Sequence, residues 1–337
     1  MKLAVLNPGG NDPEQHFPEG AGAPDSTQHA PVNYHGFAAC TGGAFFRRDQ
    51  AIPSEMKRVL VLLRRDLKAC RQAIVELKRA GKTVAVAFKE AGSGQIAELL
   101  ARPARLALFH EICARADGAI ATTPDAVPLF QAAGVRAAEF IPTPYPVESE
   151  AWNFATPAGE RRGIFIGTRE FDVPSRQHLA ALLGIKLMAE AMQEPVTVFN
   201  VDGWSGRRML DRLRYREGML KVIEGRMPYP RYLRTVAAHK LVLQLDMSAV
   251  PGQVAGDALL CRLPCVGGNG TTERLAFPAW CSHGRSAEQV LDLAARLLEH
   301  GEDREEAVSE ALRLARERLS FAAVARRIEA FFAPLAR

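Results

Sequence analysis

The stretch from residue 240 to residue 280 constrains the fold of this chain more than any other part. It begins with an apolar run at 241–245, which has the composition of a buried strand. Pro251 and Gly252 then break the chain, and residues 253–262 have helical spacing. A second apolar run at 263–266 leads into a Gly-Gly-Asn-Gly loop. This order predicts one β-α-β unit of a parallel sheet.

The turn in the middle of this unit predicts an anion-binding site. A Pro-Gly entry leaves the backbone N–H groups of Gln253, Val254 and Ala255 at the N-terminus of the predicted helix. Such an end carries unpaired N–H donors and a partial positive charge, so it attracts anions. We therefore expect it to bind a diphosphate.

The same residues resemble the C-terminal domain of the group 1 (family 4) glycosyltransferases, whose signature is E-G-F-G-x4-E-A-x3-G-x-P-V-V followed by Gly-Gly-x-x-E. Gly252 stands at the second glycine of this signature, Asp257 at its second glutamate and Glu273 at the loop glutamate. The chain departs from the family at Ala249, which occupies the position of the first glutamate.

The resemblance implies the GT-B fold, an α/β architecture of two Rossmann-like domains whose parallel sheets face each other across a cleft. Residues 1–150 would form the N-terminal, acceptor-side domain, and residues 151–318 the C-terminal domain that binds the nucleotide sugar. Residues 319–337 would form a helix that crosses back to the first domain. A length of 337 residues suffices for two domains. The prolines at 142, 144 and 146 indicate a stiff linker before residue 150.

The apolar patterning predicts alternating strands and helices along most of the chain. The predicted strands lie at 2–6, 58–63, 83–88, 118–121, 137–141, 163–167 and 196–201. Predicted helices follow Asp66 and occupy 107–116, 124–133, 205–216, 229–239, 286–300 and 319–332. The residues from 7 to 32 show no helical period and predict a long loop rather than the helix usual after a first strand.

Charge and composition limit the partners. The net charge of +5 and pI near 9.0 favour anionic partners such as nucleotide phosphates, acidic glycans or a lipid surface. No apolar run approaches the ~20 residues of a membrane span. We therefore expect a cytoplasmic protein that contacts an anionic membrane surface peripherally and has no nucleic-acid partner. Four basic residues of one predicted helix could make that contact, or simply form a solvated face: Lys68, Arg71, Lys78 and Arg79.

No metal or cofactor is expected. The six cysteines lack metal-ligand spacing and predict buried free thiols. His16, His29 and His35 lie in the N-terminal loop with irregular spacing, which favours plain loop histidines over metal ligands.

The resemblance also implies which residues hold the donor. Arginines suit a bidentate grip on its diphosphate. The implied positions are a Gly-Gly turn after the first strand, a strand-end Gly-Thr-Arg with two further cations, a segment that reads the nucleotide base, and the helix N-terminus: Gly9, Gly10, Gly167, Thr168, Arg169, Arg176, Lys186, Met227, Gly252, Gln253, Val254, Ala255 and Asp257.

Three residues are candidates for catalytic roles: Asp257, Arg169 and His110. Asp257 matches the family glutamate that binds the ribose, and Arg169 would stabilise the leaving diphosphate. The family retains configuration and needs no protein nucleophile. An inverting reaction would need a base from the first domain, for which His110, Glu111 and Glu90 are candidates. The apolar helical setting of His110 favours a core histidine instead.

These observations predict a glycosyltransferase that moves a sugar from a nucleotide-diphosphate sugar to a glycan, a lipid or another acceptor, in bacterial polysaccharide or glycoconjugate synthesis. Ala249 keeps open a second hypothesis, a nucleotide-sugar-binding partner protein that has lost catalysis. A sugar-nucleotide epimerase of the same fold is a third, but its acid and base carboxylates cannot be placed. An assay of donor hydrolysis separates the first two.

Overall fold

A computed structural model describes residues 1–89, 92–168, 170–171 and 173–336. The chain divides into two compact units. The first comprises Met1–Ala151, Ala249–Pro251 and Glu317–Arg337, and the second comprises Trp152–Ser248 and Gly252–Arg316. Each unit has its own sheet and its own apolar core.

The sheet of the first unit contains seven strands: β1 (Leu3–Leu6), β2 (Gln15–His16), β3 (Ala44–Phe46), β4 (Arg58–Leu63), β5 (Thr83–Phe88), β6 (Gly118–Ala121) and β7 (Ala138–Phe140). Their order is β2-β3-β1-β4-β5-β6-β7, and all neighbours are parallel except β2 and β3. The central strands are buried on both faces, which explains why the sequence shows continuous apolar runs there.

Helices of the first unit cover this sheet: α1 (Asn33–Cys40), α2 (Leu67–Arg79), α3 (Ser93–Leu100), α4 (Pro103–Arg115) and α5 (Ala126–Ala132), with a 3₁₀ helix at Asp49–Ala51. The Asp66 side chain caps α2, because its carboxylate accepts a hydrogen bond from the Ala69 N–H at 3.0 Å. Leu67, Cys70, Ile74 and Leu77 are buried along one stripe of this helix.

The sequence missed two helices of the first unit. The first is α1, which follows the long loop predicted at 7–32; that loop is confirmed apart from the two residues of β2. Six of the eight residues of α1 are buried, so its sequence has no polar face and no readable period. The second is α3, which begins at Ser93. Glu90 and Ala91, just before it, lie outside the described residues.

The sheet of the second unit contains five parallel strands: β8 (Ile164–Ile166), β9 (Val196–Asn200), β10 (Leu220–Glu224), β11 (Leu241–Gln244) and β12 (Cys265–Gly267). Their order is β10-β9-β8-β11-β12, so the chain builds outward in one direction from β8 and in the other from β11. The crevice outside the carboxyl ends of these two neighbours is a topological switch point, where open α/β sheets bind ligands.

Seven helices of the second unit complete it: α6 (His178–Met192), α7 (Gly203–Arg212), α8 (Tyr229–Ala237), α9 (Gln253–Leu260), α10 (Thr271–Ala276), α11 (Ala287–Glu299) and α12 (Gly301–Arg318), whose last two residues belong to the first unit. Single-turn 3₁₀ helices lie at Glu150–Trp152, Ala158–Glu160 and Pro174–Arg176. The predicted β11-α9-β12 unit is confirmed. A capping box of Ser286 and Gln289 starts α11.

The last helix, α13 (Phe321–Phe332), belongs to the first unit and is followed by a 3₁₀ turn at Pro334–Ala336. It packs against α1, and Val324, Ile328 and Phe332 are fully buried in an apolar cluster with residues of β1 and β4. The chain reaches α13 through a backbone hydrogen bond of 2.8 Å from the Tyr145 N–H to the Leu319 carbonyl. The first unit therefore needs both ends of the chain to close its core.

We expect Phe332→Ala to destabilise the first unit by roughly 3–5 kcal/mol, because it leaves a cavity in a fully buried position. Hydrogen exchange measured by mass spectrometry should show lost protection in peptides of β4 and β5. Arg326→Ala, an exposed neighbour on the same helix, should leave their protection unchanged. Equal protection in Phe332→Ala and the unmodified chain would show that α13 does not stabilise this core.

Candidate functional site

The turn before α9 is held by a buried glutamate. Gly252 has φ of +88°, a left-handed conformation that favours glycine. A Cβ atom at Gly252 would lie 2.0 Å from Oε2 of Glu273, so no side chain fits there. A substitution at Gly252 therefore disturbs the fold of the turn directly.

Glu273, the loop glutamate of the sequence resemblance, is fully buried in the first turn of α10. Its Oε1 accepts a hydrogen bond of 2.7 Å from the Gln244 side chain at the end of β11. Its Oε2 has no hydrogen-bond partner in the part of the chain that the structure describes. Burial raises the pKa of Glu273 to about 7, against the opposing effects of the Gln244 hydrogen bond and the Arg176 charge.

A second acidic group, Asp246, follows β11 and is also buried. It forms an ion pair with Arg176 and accepts a hydrogen bond of 2.8 Å from the Ser248 N–H. The Arg176 side chain is 26% exposed, so part of this side chain reaches solvent. The structure thus places Arg176 beside the switch point, but as the partner of a carboxylate that sequence reasoning missed. The apolar strand pattern gives no signal for Asp246.

The carboxyl end of β8 contributes a buried polar pair. Gly167 follows the strand and lies against Val254 in the first turn of α9. The next residue, Thr168, is buried, and its hydroxyl lies 3.1 Å from Nδ1 of His178, the first residue of α6. Burial lowers the pKa of His178 to about 4, so the ring is neutral at pH 7. Its Nε2 has no hydrogen-bond partner among the described residues. Arg169, the residue predicted to grip the diphosphate, lies outside the described residues.

The N-terminus of α9 has the character expected of an anion site. No side chain caps it, because the N-cap residue is Gly252. The N–H groups of Val254 and Ala255 have no hydrogen-bond acceptor within the described parts of the chain. Gln253 is the first helical residue. These groups lie after β11, beside Gly167 at the end of β8, and so at the switch point.

Asp257 lies about one turn into α9 and is buried. Its carboxylate accepts a hydrogen bond from the hydroxyl of Tyr229, the first residue of α8. Tyr229 in turn stacks on Tyr232, with ring centroids 5.9 Å apart. Met227, two residues before α8, is half-buried, and its sulfur lies 3.8 Å from the Thr235 hydroxyl. The structure therefore brings Asp257 next to the segment predicted to read a base, through a tyrosine that sequence reasoning did not single out.

Lys186 is not brought to the switch point. It lies in the third turn of α6, where its ammonium group donates to the Leu213 carbonyl at 3.0 Å and lies over the Tyr215 ring. Its ammonium group is held instead at Leu213, between α7 and β10, so the structure does not bring Lys186 to the predicted diphosphate site.

In the first unit, Gly9 and Gly10 follow β1 as predicted. Gly9 is exposed with φ of +67°. A Cβ atom at Gly10 would lie 2.1 Å from the Asn7 side chain and 2.7 Å from the Arg64 guanidinium. The Gly10 carbonyl accepts a hydrogen bond of 2.9 Å from Arg47.

Cations follow three of the four neighbouring parallel strands β3-β1-β4-β5 at this edge: Arg47 after β3, Arg64 after β4 and Lys89 after β5. Lys89 forms an ion pair of 2.6 Å with Asp12. Burial alone would raise the pKa of Asp12. The hydrogen bond and the charge of Lys89 act in the other direction, and the pKa of Asp12 is lowered. The carboxyl edge of the first sheet is therefore basic, and this cluster was not recognised in the sequence, where its members are far apart.

The candidate bases do not fit their predicted settings. His110 is exposed on α4, so the expectation of a core histidine was wrong: its neighbour Phe109 takes the buried position. Glu111 pairs with Arg71 at 3.2 Å and with Arg115 at 3.1 Å, and the Arg71 hydrogen bond is the main cause that lowers its pKa. A carboxylate held ionised in this way is a weak base. Glu90 lies outside the described residues.

The remaining expectations concern metals, thiols and membranes. All six cysteines are free, and five are buried. Within the described residues, no group of three or more His, Cys, Asp or Glu side chains could hold a metal ion. Of the helices that the structure describes, none is both long enough and apolar enough to cross a membrane.

No protein-family model matches the sequence, and no curated protein matches it. Solved structures do. The α,α-trehalose 6-phosphate synthase of Burkholderia multivorans has a TM-score of 0.62 and 12% identity, over 82% of this chain and 72% of that one. An E. coli trehalose-6-phosphate structure bound with UDP-2-fluoro glucose has a TM-score of 0.61 and 12% identity, over 83% and 73%.

A third similar structure is the UDP-forming synthase of Burkholderia xenovorans in complex with glucose-6-phosphate. It has a TM-score of 0.63 and 10% identity, over 98% of this chain and 100% of that chain. At such identities the likeness shows the fold alone. The fold is the GT-B fold of glycosyltransferases, as the sequence resemblance predicts, and family 4 is not singled out.

Glu273 makes stability pH-dependent. Its pKa is raised in the folded chain. The stability that its protonated form contributes is therefore fully present below the unfolded pKa near 4.5 and is lost as pH rises through about 7. A shift of this size corresponds to about 3 kcal/mol. Glu273→Gln, which cannot ionise, should abolish this loss for the second unit in urea unfolding between pH 5 and pH 8. Glu217→Gln, an exposed control, should keep it. The same pH slope in Glu273→Gln and the unmodified chain would contradict the assignment.

Proposed function

We propose that this chain is a glycosyltransferase that uses a nucleotide-diphosphate sugar. The observation that carries the proposal is the uncapped N-terminus of α9 at the switch point of the second sheet, between Gly167 and the Gly252 turn. Among the similar structures that share this fold at low identity, one is named a UDP-forming trehalose-phosphate synthase and another is bound with UDP-2-fluoro glucose. No metal or cofactor beyond the donor enters the proposal.

The diphosphate would bind the N–H groups of Val254 and Ala255. These donors are fixed before the ligand arrives, so they stabilise charge on the leaving diphosphate without reorganisation. Arg169 remains a predicted diphosphate ligand, and the exposed part of Arg176 lies beside the same edge. The raised pKa of Glu273 supports this arrangement, because a neutral carboxyl does not compete with the diphosphate for the positive end of α9.

The nucleoside would lie along α8 and the second turn of α9. Asp257 is buried there as the acceptor of the Tyr229 hydroxyl, and we propose that the ribose hydroxyls join this hydrogen-bond pair. The half-buried Met227 segment would contact the base. Asp257 is too far into the helix to meet the phosphates at its first turn, which avoids repulsion between two negative groups.

The acceptor would bind at the carboxyl edge of the first sheet, next to Gly9 and Gly10. Arg47, Arg64 and Lys89 make this edge basic. We propose an acceptor that carries a phosphate, either a sugar phosphate or a lipid-linked glycan. One of the similar structures is a complex with glucose-6-phosphate. A phosphorylated lipid acceptor would bring the protein to the inner face of a membrane without a spanning segment.

We propose retention of configuration. Glu111 is committed to two arginines, and His110 is exposed in the middle of α4. His35, the buried histidine near this edge, has its pKa lowered to about 3 by burial and by His29, so it is a weak base. In a retaining reaction the leaving diphosphate itself can take the acceptor proton, and no protein base is needed.

Acidic residues distinguish the two alternative functions from the proposed one. Ala249 replaces an acidic residue of the family signature, which favours a binding protein that has lost catalysis. An epimerase of this fold would need paired acid and base carboxylates beside the donor sugar. Glu273 and Asp246 are buried acids at this edge. Glu273 already accepts the Gln244 hydrogen bond beside the turn, and Asp246 already pairs with Arg176.

The proposal predicts slow donor hydrolysis. A thermal-shift screen of nucleotide sugars should first identify a donor that raises the melting temperature. Release of nucleoside diphosphate from that donor should then be measurable, and a phosphorylated acceptor should accelerate it. Binding without turnover, with or without acceptors, would favour the partner protein. Formation of an epimeric nucleotide sugar would favour the epimerase, and no binding at all would contradict every one of these functions.

A pair of matched threonines tests the place of the donor. Thr168→Val removes the hydroxyl that pairs with His178 at the end of β8, and we expect donor affinity to fall roughly tenfold. Thr197→Val removes the equivalent buried hydroxyl, 2.7 Å from His239, on β9, and should change affinity less than twofold. Calorimetry with the donor from the screen measures both. Equal effects of the two substitutions would mean that the donor lies elsewhere.

A further inference from the structure

The second unit contains a basic cavity of about 450 Å³ at the edge of its sheet opposite to the switch point. Three of its lining residues precede strands: Arg161 before β8, Lys240 before β11 and Arg262 before β12. The strands are parallel, so their amino ends share this edge, and the proposed donor site lies at their carboxyl ends. The cavity is therefore separate from that site, by on the order of 10 Å of strand.

One face of α12 forms the other wall. Arg304, Val308, Leu312 and Arg316 recur at helical spacing along it, together with Glu305 and Ser309. The core face of the same helix uses small buried residues: Ala307, Ala311 and Ala315. The cavity side of α12 is thus an arginine-bearing face rather than part of the core.

The charges in the cavity are unbalanced. Of the described residues that line it, five are basic and one, Glu305, is acidic. Lys240 is neutralised by an ion pair with the nearby Glu194. The guanidinium of Arg161, however, is held by the backbone carbonyls of Thr156 at 2.8 Å and Arg262 at 2.9 Å.

Arg304 is held in the same way, by the carbonyls of Leu297 and, at 3.1 Å, Leu298 at the end of α11. Nη2 of Arg161, and Nε and Nη2 of Arg304, have no acceptor within the described residues. Burial is the main cause that lowers the pKa of Arg161, and the positive charge of Arg304 lowers it further. Two fixed like charges thus lie close together, and neither guanidinium pairs with a carboxylate among the described residues.

We propose that this cavity binds the phosphate group of a small organic phosphate, as a second anion site independent of the donor. An arginine guanidinium can donate two hydrogen bonds to two oxygens of one phosphate. Here backbone carbonyls already fix two guanidinium groups in place, so little side-chain entropy is lost on binding. The volume falls in the range of small-molecule sites. The Ser309 hydroxyl offers another hydrogen bond, and Val308 and Leu312 offer an apolar wall for the organic part.

The test varies charge in the cavity without touching the arginines, whose bonds to carbonyls stabilise the fold. Ser309→Glu adds a negative charge at an exposed lining position and should weaken binding of inorganic phosphate roughly tenfold. Glu305→Gln removes the acidic lining residue and should strengthen binding about two- to fivefold. Glu306→Gln is the matched control, because Glu306 is the exposed neighbour that does not line the cavity.

Binding is measured by calorimetry with inorganic phosphate at constant ionic strength in the full chain. Hydrogen exchange then locates it: phosphate should protect peptides from 301–316 and should do so equally in Thr168→Val. The proposal is overturned if the unmodified chain does not bind phosphate. It is also overturned if Ser309→Glu binds as the unmodified chain does, or if Glu305→Gln and Glu306→Gln act equally. Protection confined to residues 250–260 would likewise overturn it, because the phosphate would then occupy the donor site.

Discussion

The hydrogen bond from Gln244 to Glu273 is the interaction on which the second unit's ligand-binding edge depends. It ties the end of β11 to the start of α10 at 2.7 Å, and both residues are buried. Gly252 and Gly268 pack so closely around this pair that a Cβ atom at either would lie within 2.5 Å of it. The path of the turn before α9 is therefore restricted, and the N–H groups of Val254 and Ala255 are held at the switch point.

The burial of Glu273 also affects the charge beside the first turn of α9. An ionised carboxylate beside the first turn of α9 would offset the positive end of the helix dipole, and its raised pKa reduces that offset near neutral pH. The other buried acid at this edge, Asp246, is neutralised by Arg176. The edge of the sheet thus presents backbone N–H groups to an anion although it contains two acidic residues. The amino edge of the same sheet is basic for a different reason. Its arginine side chains are held by backbone carbonyls, which do not neutralise their charge.

The sequence predicted most strands and the β11-α9-β12 unit, because parallel strands buried on both faces leave continuous apolar runs. It did not predict α1, which is buried all round, or the edge strand β10, whose residues are mostly half-buried or exposed. At the candidate site, the motif located Gly252, Gly167 and Asp257. It could not reveal that Arg176 binds Asp246, that Lys186 turns to Leu213, or that Arg47, Arg64 and Lys89 share one edge of the first sheet, since these depend on the tertiary structure.

The central claim is that the N-terminus of α9 holds a donor diphosphate, and a crystal structure with a nucleoside diphosphate bound measures this most directly. The account predicts phosphate oxygens within hydrogen-bond distance, about 2.7–3.2 Å, of the N–H groups of Val254 and Ala255. It also predicts the ribose beside Asp257 and Tyr229. A nucleoside diphosphate bound on the first unit, or in the second unit with its phosphates away from α9, would contradict it.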